Sequence, residues 1–96
     1  MKKIAECGTF KVYMTKHALD RANQRKMSYS KIASLVLWLG DEKLEELTGE
    51  DVIIQCETLK TSVVASIKGN KVNIITVVPN GNTFKTDFDK VRITLA

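Results

Sequence analysis

The chain has 96 residues, 44% of them hydrophobic and 27% charged, with one His, one Pro, one Trp and two Cys. Fifteen Lys and Arg against eleven Asp and Glu give a formal charge of +4. These figures fit one small domain spanning 1–96, leave no room for a second core, and are too apolar for a disordered chain. Nowhere does an apolar run approach the roughly 18 residues of a membrane span. The start, Met1-Lys2-Lys3-Ile4-Ala5-Glu6, meets an acid before any long apolar stretch and does not read as a secretory signal. A cytoplasmic protein with no membrane partner is the expectation.

Phe10-Lys11-Val12-Tyr13-Met14 alternates imperfectly and predicts a strand. Thr15 then reads as a helix N-cap. Lys16 to Lys26 holds no Gly, Pro or β-branched residue and is rich in good helix formers. Its apolar positions, Ala18, Leu19 and Ala22, are sparse, so this helix should bury a narrow face. Ser28 or Ser30 caps a second helix, whose run from Leu35 to Leu39 predicts burial on more than one side, with Trp38 in the core. Gly40 would end it as a C-terminal glycine. Leu44 to Thr48 reads either as a strand or as the tail of a helix from Asp41.

Strands are predicted over Val52–Thr58, Thr61–Lys68 and Lys71–Val78, the last two joined by a Gly69-Asn70 hairpin turn. A turn at Pro79-Asn80-Gly81-Asn82 and a strand around Val91-Arg92-Ile93 complete the chain. The expected class is α+β: an N-terminal strand and two helices packed on an antiparallel meander of three to five strands.

Charge is segregated along this order. Residues 1–40 carry eight cations and two anions, residues 41–59 one cation and seven anions, and residues 60–96 six cations and two anions. A basic first third suits a phosphate polymer. The acidic middle would face away from such a ligand, face a basic partner, or form a solvated surface. Cys7 and Cys56 lie far apart in no metal-binding spacing, which predicts reduced, buried thiols and no His/Cys metal site, although spacing does not exclude a carboxylate-only Mg site; the expectation is no metal.

The sharpest pattern is His17, Arg21 and Arg25, at i, i+4 and i+8 of the first helix. Residues four apart share a helix face, so one imidazole and two guanidiniums form a stripe that starts beside Lys16. Like charges at this spacing repel unless an anion lies on them. Arg presents a planar fork of donors to phosphate oxygens, and His moves protons near neutral pH. The combination suits cleavage of an RNA phosphodiester: a base takes the 2′-OH proton, an acid protonates the leaving 5′-oxygen, and cations stabilise the developing charge. A solvated stripe with Asp20 paired to a neighbour is the bland alternative.

The segment Lys16-His17-Ala18-Leu19-Asp20-Arg21 through Arg25-Lys26-Met27-Ser28 resembles the His-x3-Arg-x3-Arg helix of a small uncharacterised bacterial and phage family. That family is grouped with the barnase–EndoU–colicin–RelE nuclease-like superfamily. Ile74-Ile75-Thr76-Val77-Val78 resembles its Ile-Ile-Thr-Val strand. The resemblance implies a RelE-like fold and a metal-independent, toxin-type endoribonuclease needing no cofactor. It places His17, Arg21, Arg25 and Thr76 in the catalytic group, with His17 as acid or base. Lys60 is the nearest match to the family's basic residue on the middle strand. Lys16, Lys26, Tyr29, Lys60 and Lys71 are the candidate nucleic-acid contacts. Thr76, however, alternates with Val72, Ile74 and Val78, which also reads as a buried strand position. Expected partners are RNA, ribosome-associated RNA included, and an antitoxin or host protein. The competing reading is a non-catalytic phage or mobile-element protein that binds nucleic acid or a host protein in an inhibitory role.

Overall fold

The computed structural model describes residues 1–79 and 91–95. These form, in order, β1 (Lys2–Cys7), β2 (Phe10–Met14), α1 (Lys16–Gln24), α2 (Tyr29–Leu37), α3 (Gly40–Glu46), β3 (Asp51–Cys56), β4 (Thr61–Lys68), β5 (Lys71–Pro79) and β6 (Val91–Leu95). The protein is α+β, with the helices between β2 and β3.

The sheet differs from the expected antiparallel meander. Its order is β1-β2-β5-β4-β3-β6, and it is mixed. β3, β4 and β5 form the predicted antiparallel unit, but β2 joins β5 in parallel and β6 joins β3 in parallel. β1 was not anticipated. Its sequence alternates weakly, it is an edge strand, and its pairing with β2 slips between Lys3 and Ala5. The tight β1–β2 turn turns on Gly8 (φ 60°), where an added Cβ would lie 2.6 Å from Asp41 Oδ2. The turn expected over Pro79-Asn80-Gly81-Asn82 falls on residues 80–82, outside the described residues.

One face of the sheet carries the apolar core. Val12 and Met14 of β2, Val72 and Ile74 of β5, Val63 and Ala65 of β4, and Val52 and Ile54 of β3 meet Ala18, Ala22, Ile32, Leu35, Val36 and Leu44 of the helices. These aliphatic side chains, removed from water at about 25 cal/mol per Å², supply the main driving force for the layer. The narrow Ala18–Ala22 face lets α1 lie close on β5, as its sparse apolar pattern predicted.

Local signals set the helix boundaries. Thr15 caps α1: the Ala18 N–H donates to its Oγ1 at 3.2 Å, while that hydroxyl donates to the Ile75 carbonyl at 3.1 Å. Ser28 caps α2 by accepting from the Lys31 N–H at 3.4 Å. α2 stops at Leu37, and Gly40 (φ 80°) opens α3, so the acidic segment from Asp41 is helical rather than extended. Because α2 ends there, Leu37 and Trp38 point outward, 41% and 53% exposed. Trp38 is therefore not a core residue. Both cysteines are free; Cys56 is buried and Cys7 half-buried, its thiol pushed up by burial and by the Asp41 carboxylate. No helix among the described residues is long and apolar enough to cross a membrane.

Candidate nucleic-acid interface

The α1 stripe forms as its spacing predicts. With 3.6 residues per turn, His17, Arg21 and Arg25 lie about a quarter turn from the buried Ala18 and Ala22, and span about 12 Å along the axis. His17 and Arg25 are exposed and Arg21 is half-buried. Among the described residues none of the three has a side-chain hydrogen bond or ion pair, and Asp20 pairs with none of them. The stripe is thus open to an external anion.

The end of α1 is shaped by a left-handed turn. The Met27 N–H donates to the Ala22 carbonyl at 2.8 Å and the Lys26 N–H to the Asn23 carbonyl at 3.2 Å. This pair of bonds calls for a residue with positive φ at position 26, a place where glycine is usual. Lys26 fills it with φ 55°. The β3–β4 turn repeats the pattern: Lys60 has φ 51°. Among the described residues Lys26 and Lys60 are the only non-glycine positions with positive φ. Such a conformation costs an L-residue about 1–2 kcal/mol.

These two lysines line the same cleft. About 410 Å³ of open space lies between the α1–α2 turn, the first turn of α2 and the β3–β4 turn; Arg25, Lys26, Lys31 and Lys60 all border it, and among the described residues no carboxylate does. Ser28 and the N-terminus of α2 complete one wall, and the helix dipole adds to the positive potential there. A second cleft, of about 440 Å³ beside the β4–β5 turn, is bordered by Glu45 and, among the described residues, by no cation. Among the described residues, the charged side chains that border the first cleft are all cationic.

The predicted site residues divide accordingly. Arg25, Lys26 and Lys60 converge on the cleft, although Lys60 comes from a turn 35 positions later in the chain. Lys31 joins them and was missed. A cation in the first turn of α2 opposes the helix dipole, and that mismatch was the available signal. His17, Arg21 and Lys16 lie further up α1 and do not border the cleft. Tyr29 is half-buried, donates its hydroxyl to Asn23 Oδ1 at 3.1 Å, and has the Lys2 ammonium 5.0 Å from its ring centroid, so its ring is already engaged. Lys71 stands on the other sheet face beside Tyr13. Thr76 pairs with Val64, while Ile74 pairs with Ala65; Ile75 is an extra residue between them. This bulge moves Thr76 to the face opposite the helices, so it does not share the core face with Val72 and Ile74, and it does not reach the cleft.

Comparison with protein-family models, with curated proteins and with solved structures finds no match to this chain.

Proposed function

We propose that this protein binds RNA along α1 and in the cleft at its C-terminal end, and acts as a metal-independent endoribonuclease of the RelE-like toxin type. The single observation that carries the binding is that, among the described residues, the two left-handed lysines Lys26 and Lys60 border one cleft with Arg25 and Lys31 and no carboxylate lines it. Strained backbone is retained where the strained residue has a task, and here both strained residues present cations to the same space. In the cleavage step His17 takes the 2′-OH proton and the 2′-oxygen bonds to phosphorus. The bond to the 5′-oxygen breaks, water protonates the leaving oxygen, and Arg21 and Arg25 stabilise the phosphorane charge. The resemblance of the His17-Arg21-Arg25 helix to the nuclease-like family supports the same assignment, as it does an antitoxin or host protein as partner.

A second reading has its own support. Cleft and imidazole are separated by about 12 Å along α1, and among the described residues no imidazole or carboxylate borders the cleft. That favours RNA binding without cleavage. The deciding experiment incubates purified protein with single-stranded RNA and with ribosomes in EDTA. Cleavage to 2′,3′-cyclic phosphate ends, lost in His17→Ala while the far-UV circular dichroism is unchanged, is the expected result. Intact RNA that nevertheless binds the wild type at low salt assigns the protein to the non-catalytic reading.

A further inference from the structure

The sheet face opposite the helices carries a second cationic surface. Lys11 of β2 stands in register with Lys71 of β5, and Lys71 with Lys68 of β4. All three side chains leave the sheet on the side away from Val12, Val72 and Ile67, which are buried under the helices. All three are exposed. Neighbouring strands are about 4.8 Å apart, so three ammonium groups are tethered across about 10 Å. Like charges directly opposite one another in a sheet are destabilising. No hydrogen bond or ion pair among the described residues relieves this row. The adjoining carboxylate, Glu6, pairs with Lys11 in the β1–β2 register and gives one oxygen to Lys3; Lys3 first, and the Lys11 charge more weakly, hold its carboxyl below the usual range, so Glu6 offsets one end of the row. Lys71 does lie over the Tyr13 ring, 5.8 Å from its centroid. Asp51 lies in the next row across the sheet, beside Ser66.

We propose that Lys11, Lys71 and Lys68 form a second phosphate-contacting surface for single-stranded RNA, separate from the cleft at Arg25 and Lys60. The row sits at the far end of β4 from Thr61, which borders the cleft, about 23 Å away along the strand and on the opposite sheet face. An RNA strand that enters the cleft and wraps the sheet meets both. A polymer with evenly spaced charges suits this row better than an acidic protein does. Protein interfaces need an apolar centre, and the row offers only evenly spaced ammoniums and one tyrosine already beneath a lysine. The assignment of RNA as the polymer rests on the reading of the cleft; the anion-binding character of the row does not.

The test uses 2′-O-methyl oligouridines, which cannot be cleaved through the 2′-oxygen, and fluorescence anisotropy across a salt series. An oligomer of about 6 nucleotides fits the cleft alone, and one of about 25 nucleotides reaches the row. Lys11→Gln/Lys68→Gln/Lys71→Gln is expected to weaken the long oligomer about tenfold and to flatten its log–log salt slope by about 2, while the short oligomer binds as before. Acetylation of the wild-type lysines, read by mass spectrometry, should be slowed at Lys11, Lys68 and Lys71 only by the long oligomer, which gives a readout independent of any variant's folding. An unchanged slope together with unprotected lysines overturns the proposal. Lysine-dependent binding of polyglutamate with none of RNA overturns it in favour of an acidic protein. If instead Arg25→Gln leaves short-oligomer binding unchanged, the reading of the cleft fails, and the lysine row still stands or falls on the long oligomer.

Discussion

Thr76 faces Val64 one residue out of step with the neighbouring Ile74–Ala65 pair, and Ile75 is the extra residue that makes the difference. The slip puts Val77, 1% exposed, under the helices and turns Thr76 away from them. Val77→Ala should therefore cost about 2 kcal/mol. Thr76→Ala should cost less than about 1 kcal/mol. Urea unfolding of the two variants checks the order, which would reverse if Thr76 held the core position.

Thr15 joins two elements with one hydroxyl, accepting from the α1 backbone and donating to the Ile75 carbonyl at the bulge. Thr15→Ala should destabilise the protein by about 1–2 kcal/mol, because it removes a cap and a strand contact together. Thr15→Ser keeps both bonds and should recover most of that loss in the same unfolding assay.

The proposed RNA binding makes Lys26 and Lys60 a trade between backbone stability and affinity. Lys60→Gly relieves the left-handed backbone and should raise stability by about 1 kcal/mol, while RNA affinity falls several-fold and its salt slope flattens. Thermal melting and anisotropy on the same sample read both changes. A variant that gains stability with no loss of affinity would show that the cleft does not hold RNA.

Trp38 is the only tryptophan in the chain and is 53% exposed. Its emission should be that of a solvated indole, readily quenched by acrylamide in the native state and little changed by unfolding. Trp38→Ala should alter stability by no more than about 0.5 kcal/mol.

Much of this arrangement is written locally. Thr15 and Ser28 announce their helices because a side-chain oxygen must satisfy the first free N–H groups, and the Gly69-Asn70 turn follows from its glycine and its flanking strands. The His17-Arg21-Arg25 stripe is a matter of helical period. What was hidden depends on partners distant in sequence. An alternating pattern gives no sign of a bulge, so the face of Thr76 could not be read from Ile74. The apolar run Leu35–Leu39 implies burial on more than one side, but where α2 stops decides that Leu37 and Trp38 point outward. β1 has so little alternation that only its pairing with β2 reveals it. The cleft needs two turns that meet only in the folded chain, and the backbone strain that marks Lys26 and Lys60 leaves no trace in composition.

The parallel pairing of β2 with β5 has a consequence for biogenesis. Met14 lies beside Ile74, sixty positions further on. A ribosome must therefore synthesise most of the chain before the opening hairpin has its lateral neighbour, and closing so large a loop is entropically slow. β2 is made before the strand it pairs with, and until β5 arrives the apolar side of Val12 and Met14 lacks that neighbour.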